Sequence, residues 1–172
     1  MTRNMALGWW TPVLFALLAG CSNSGTSTPP AKGEEEVREA FASLQGALKA
    51  KEADKVWSLL DADSQADAER QATAVRDAYA KADKGGREEL EKEMGLPGKE
   101  LESLKGAGFL KTKRFLGKYD EVPESKVEKA AVQGDKATVN FTEPDGDKEK
   151  LSFVREKGGW KVSLPMPKGI QR

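Results

Sequence analysis

Three features of the chain predict an α+β domain in which helices lead and a four-stranded antiparallel meander follows. Apolar residues recur at helical spacing from Glu34 onward, the period falls to two after Pro123, and turn-forming pairs separate the alternating runs. Each strand then has one apolar and one polar face, so one face of the sheet must be covered. The preceding helices carry the matching stripes, which places them on one side of a curved sheet.

The first segment lies ahead of that domain. Met1 to Arg3 give a short positive start, and Met5 to Ala19 run almost wholly apolar before the small pair Ala19-Gly20. This is the layout of a secretory leader over residues 1–20. At roughly 15 residues, interrupted by Pro12, the run is shorter than the ~20 that a spanning helix needs. Its end, Leu18-Ala19-Gly20-Cys21, resembles the lipobox of bacterial lipoproteins. The resemblance implies that Cys21 receives a diacylglyceryl thioether, that cleavage falls before it, and that the new amino group is open to acylation. Two or three acyl chains, at ~0.8 kcal/mol per buried CH₂, make a stable anchor in a lipid bilayer. Ser22 after the cysteine resembles the signal for outer-membrane sorting where an outer membrane exists. The expected address is thus a cell membrane or outer membrane, with the domain outside the cytoplasm.

Residues 21–33 comprise the modified cysteine and SNSGTSTPPAKG, which has no large apolar side chain and reads as a tether. Twelve residues at ~3.3 to 3.6 Å each reach on the order of 40 Å at most. The folded domain is expected over 34–172.

Within it, Val37, Phe41, Leu44 and Leu48 form one stripe of a first helix ending near Lys51, with acids in its first turn. A short helix over Ala53 to Leu60 follows. A longer one runs from a cap at Asp63-Ser64 to about Lys84, with alanine-rich apolar positions. Gly85-Gly86 is expected to break it, Arg87 to Met94 to restart, and Gly95 to Gly98 to break again before a turn at Glu100 to Lys105. This charged stretch reads as a peripheral excursion docked by Phe109, Leu110, Phe115 and Leu116. Lys126 to Gln133 is the first strand. Ala137, Val139 and Phe141, then Leu151 and Phe153, then Trp160, Val162 and Leu164 supply the inward faces of the other three. Gly134-Asp135, Pro144-Asp145-Gly146-Asp147 and Gly158-Gly159 are the turns.

Composition excludes whole classes of chemistry. The 28 basic and 28 acidic residues cancel, and no basic cluster of the kind nucleic acid requires is present. Cleavage would remove one basic residue, Arg3, and no acid, for a formal charge of −1. Anionic lipid heads then lend little attraction. The chain has no histidine, hence no Ser-His or Cys-His pair, and its single cysteine rules out an intramolecular disulfide and the all-cysteine zinc sites.

The order of elements, with Ala137-Thr138-Val139 after Gly134-Asp135, the Pro144-Asp145-Gly146 loop and the closing Phe153-Val154-Arg155-Glu156 through Gly159-Trp160-Lys161-Val162, resembles the cone-shaped superfamily of nuclear transport factor two and the ketosteroid isomerases. It is more closely similar to bacterial lipoproteins of unknown function that share that cystatin-like fold. The resemblance implies a space between sheet and helices that serves either as a catalytic pocket or as plain core, and in isomerase-like members an Asp base and a Tyr donor inside it. None of the inward strand residues named above is an acid or a tyrosine, and Tyr79 on the long helix is the one polar group expected to reach inward.

Asp61-x-Asp63-x-x-x-Asp67 is spaced like a calcium loop, but Ala66 stands where glycine is required and Ala72 where glutamate should be. Asp145 and Asp147 could hold a cation weakly, and a hairpin turn explains them as well. No metal, cofactor or catalytic residue is therefore assigned. Trp57, Tyr79, Phe153 and Trp160 are the candidate pocket residues for a small apolar ligand, with core packing as the competing reading. The expected function is a non-catalytic, membrane-anchored binding or assembly module, whose partner is an envelope protein or a small apolar ligand. The alternatives are an isomerase-like enzyme and an apolar-ligand carrier.

Overall fold

The computed structural model of the chain describes residues 32–157 and 159–167. The leader, Cys21 and the tether up to residue 31 lie outside the described residues, as does the last segment, 168–172. Among the described residues no helix is long and apolar enough to cross a membrane.

The architecture is α+β: helices α1 (Lys32–Lys49), α2 (Ala53–Leu59), α3 (Ala62–Lys81), α4 (Lys84–Met94), α5 (Gly98–Glu102), α6 (Gly106–Phe109) and α7 (Lys113–Lys118), a 3₁₀ turn at Val122–Glu124, then strands β1 (Lys126–Gln133), β2 (Lys136–Thr142), β3 (Lys148–Glu156) and β4 (Gly159–Ser163). The sheet is an antiparallel meander in the order β1-β2-β3-β4. Its register pairs Ala137 with Phe153, Val139 with Leu151 and Phe153 with Val162. All eight residues expected on the inward face are buried. Gly134, at φ 61°, and Gly146, at φ 97°, take the left-handed conformations that the two hairpin turns demand.

Helix α1 begins at Lys32, so the last two residues of the expected tether are its first turn. Its stripe lies across the sheet, touching β1, β2 and β4, with the Phe41 and Phe141 rings 5.2 Å apart. Val37, Phe41 and Leu44 are wholly buried. Each such side chain contributes about 1.5–3 kcal/mol of apolar burial.

Three expectations about the helices are corrected. The cap of α3 is Asp61, not Asp63-Ser64, because the Asp61 side chain is the one that accepts the free N–H of Ser64 (2.8 Å). The break after α3 falls at Ala82-Asp83, not Gly85-Gly86. Asp83 accepts from Gly86 N (2.8 Å), and both glycines lie in the first turn of α4, where backbone N–H groups lack helical partners anyway. The charged stretch is also not peripheral: Leu90, Met94, Leu101 and Leu104 join Phe109, Leu110 and Phe115 in one core with α1 and the sheet, while Leu116 is partly buried. α5 and α6 both pack on α3. The alanines of α3 explain the closeness, since they leave room for α6 to approach. At Gly106 an added Cβ would lie 2.7 Å from the Trp57 ring.

The segment between α2 and α3 joins the sheet edge. Leu60 bridges Val162 in parallel, and Asp61 N donates to Val162 O (3.0 Å). This bridge fixes the start of α3 over the end of β4, where a cleft lies.

Candidate functional site: a cleft at one end of the sheet

A cleft of about 730 Å³ opens between the start of α3, the end of α7 and the edge of the sheet where β2 ends, β3 begins and β4 ends. Phe141, Leu151, Leu164, Val122 and Tyr119 are its apolar residues. That volume lies in the range of small-molecule sites, about 300–1,000 Å³.

Its α3 side is built around Asp61, only 5% exposed. Oδ1 accepts from Ser64 N, and Oδ2 accepts from Ser163 Oγ in a very short contact. Ser64 Oγ in turn accepts from Leu164 N (2.9 Å). Oδ1 thus caps α3 while Oδ2 ties that cap to the end of β4, and Asp61 acts here as a clamp. Tyr119 is likewise buried, its hydroxyl donating to Pro165 O (2.6 Å), and burial pushes its pKa far above the ordinary phenol value. Lys118 Nζ donates to the same carbonyl (2.5 Å), and burial lowers its pKa against the opposing pull of Asp67. Asp67 pairs with Arg70 at 3.0 Å.

The opposite wall is acidic. Glu149 is the register partner of Phe141, so strand alternation puts it on the inner face of the sheet, and Glu143 stands just past the end of β2, two residues beyond Phe141. Both line the cleft. Behind Glu143 sit Glu121 and Asp145, with one oxygen from each of the three carboxylates within 4.8 Å of the others. Glu121 Oε2 is buried with no hydrogen-bond partner among the described residues. The Glu143 pKa is raised, first by burial and then by the charges of Glu121, Glu149, Asp145 and Asp147. Glu121 is raised by burial and then by Asp145, Asp120 and Asp147. No ion pair among the described residues engages Glu121, Glu143 or Asp145. The trio offers three hard oxygen ligands, fewer than the six to eight that calcium collects.

The four residues that the sequence marks for a pocket lie elsewhere, and none lines this cleft or the second one, of about 450 Å³, beside Leu48 and Leu116. Phe153 and Trp160 are core, 1% and 7% exposed, with the Arg155 guanidinium 4.6 Å from the Trp160 ring centre. Trp57 is partly buried against Gly106, and its carbonyl accepts from Gln65 Nε2 (2.9 Å). Tyr79 donates its hydroxyl to Glu91 Oε1 (2.7 Å), a bond that heads the causes of its raised pKa. It therefore closes the α3–α4 contact and does not meet Phe153 or Trp160 in a shared pocket. Of the calcium-like acids, Asp61 is the clamp and Asp67 the partner of Arg70. Asp145 Oδ1 accepts from Asp147 N (3.0 Å), as a hairpin turn requires.

Sequence reasoning passed over Glu143, Glu149 and Tyr119. The first two carried a readable signal, because the inward alternation of β2 and β3 continues for one more step into each. Tyr119 had none, since it follows a stretch with no sustained period.

No protein-family model matches the chain, and neither curated proteins nor solved structures give a match. What fold and cleft define is a class: a helix-covered antiparallel α+β domain with an amphipathic cleft at the end of its sheet.

Proposed function

We propose that this protein is a membrane-anchored binding module, held through acylated Cys21 and using the cleft between α3, α7 and the sheet to take a small amphipathic molecule. The observation that carries the reading is the cleft itself, with apolar Phe141, Leu151 and Leu164 adjoining charged groups at its mouth. Such a combination orients a ligand that is partly apolar and partly polar. Helices followed by a simple four-stranded meander are consistent with a cone-shaped fold similar to that of nuclear transport factor two, and we extend the proposal to that fold.

Native mass spectrometry of the full-length protein extracted from membranes tests the cleft. The expected result is a copurified small-molecule adduct, absent from a Leu151→Trp variant that fills the floor; an adduct unaffected by that change, or no adduct and no uptake of added amphiphiles, would refute it. Labelling cells with an alkyne fatty acid tests the anchor, with label expected on the wild type and lost in Cys21→Ser.

A second reading, catalysis in the same cleft, is favoured by one observation: Glu143 lines it with its pKa raised, a state suited to general acid–base work. The other buried polar groups there, Asp61 and Tyr119, have their oxygens committed to Ser64, Ser163 and Pro165. Binding is accordingly preferred to turnover.

A further inference from the structure

We propose that the occupant of the cleft has an aromatic or alkyl body and a cationic, ammonium-type end, the body resting on Phe141 and Leu151 and the charge facing Glu143 and Glu149. This inference depends on reading the cleft as a ligand site and specifies its chemistry. On β2 the inner face runs Val139, Phe141, with Glu143 one residue past the strand end, and on β3 it runs Glu149, Leu151, Phe153, with Phe141 opposite Glu149 in the register. The apolar surface therefore passes directly into a carboxylate pair at the same end of both strands. Apolar body and charge are separated by one alternation step on each strand, about 7 Å.

The charge of the cleft is unbalanced in the same sense. Asp61, Asp63, Asp67, Glu143 and Glu149 face Arg70, Lys118 and Lys150. Arg70 is paired with Asp67, and Lys118 is held on the Pro165 carbonyl. Lys150, next to Glu149 on β3, lines the cleft as well, and even with it counted the carboxylates outnumber the cations five to three. On the acidic wall, Glu143 has Glu121 and Asp145 beside it and, among the described residues, no cation paired with it, so a positive group entering there relieves a repulsion already present. An ammonium carrying apolar substituents also gains from the neighbouring Phe141 ring. A bare metal ion would use the acids and leave the apolar floor and most of the 730 Å³ without a role.

The test is calorimetric titration of the detergent-solubilised full chain with three probes too short to form micelles: 3-phenylpropyltrimethylammonium, 4-phenylbutanoate and 4-phenylbutanol. The cation is expected to bind about tenfold or more tighter than the anion, with the alcohol between them. Glu143→Gln and Glu149→Gln should each erase most of that preference while leaving the affinity for the alcohol unchanged. Three outcomes would overturn the inference: equal binding of cation and anion, a preference that survives both substitutions, or calcium binding to the carboxylates that the organic cation does not displace. If the alcohol binds and the cation gains nothing over it, the cleft remains a ligand site and the charge assignment fails. If none of the three binds, the cleft reading fails and takes the inference with it.

Discussion

At the scale of single residues, the sharpest consequence concerns Glu143. Its folded pKa is raised above the ordinary glutamate value, about 4.3, that it regains on unfolding. The linkage then has a definite sign: the contribution of Glu143 to stability is fully present below the unfolded pKa and is lost as pH rises through the folded one. Glu143→Gln removes that loss. The melting temperature of the variant should exceed that of the wild type at neutral pH, and the gap should close as the pH is brought down through the carboxylate range. Melting curves from pH 4 to pH 8 check this, and a gap independent of pH would contradict it. Asp61 matters through its hydrogen bonds: its carboxylate caps α3 and accepts from Ser163. Asp61→Ala should cost about 2 kcal/mol in a urea titration, from the lost cap and the unpaired groups left at a buried site. A loss well below 1 kcal/mol would show that the clamp is incidental.

Among the elements, legibility follows the strength of the periodic signal. The α1 stripe and the inward alternation of β2, β3 and β4 were readable because each repeats its period several times, and burial of Val37, Phe41, Val139 and Phe153 answers to it. From Asp83 to Tyr119 the helix expected over Arg87 to Met94 is part of α4, but the stretch after it was not readable. Its helices are short, with α5 only five residues and α6 four, so no period repeats, and their place is set by tertiary contacts with α3. The cap of α3 moved for a related reason: the bridge of Leu60 to Val162 fixes where the helix begins, at Asp61 and not at the expected Asp63-Ser64. The pocket reading failed to coincide with the cleft because large aromatics mark core and cavity alike, whereas Glu143 and Glu149 mark where the core stops. Gly106 is the element-scale test of the helix packing. It donates its N–H to Glu69 Oε2 (2.6 Å), and an added methyl would meet the Trp57 ring and that same carboxylate. Gly106→Ala should cost about 1–3 kcal/mol by overpacking. Gly46 supplies the control, since nothing lies within 4 Å of an added Cβ there, on an exposed face of α1. Gly46→Ala should stabilise by about 0.5–1 kcal/mol.

For the molecule as a whole, one core joins helices and sheet, and the cleft at the end of the sheet is a place where that core opens to solvent. If the tether and acylated Cys21 hold the domain near a bilayer as proposed, a ligand that is part apolar and part charged would be available from the lipid interface itself. The most direct measurement is methyl NMR of the Leu- and Val-labelled full-length protein during titration with 4-phenylbutanol. The expected result is progressive shifts of Leu151, Leu164 and Val122, which line the cleft, with Val37 and Leu44 in the closed core unmoved. Shifts confined to Leu48 and Leu116 of the smaller cleft, or no shifts at any concentration, would contradict the assignment of a ligand site at this end of the sheet.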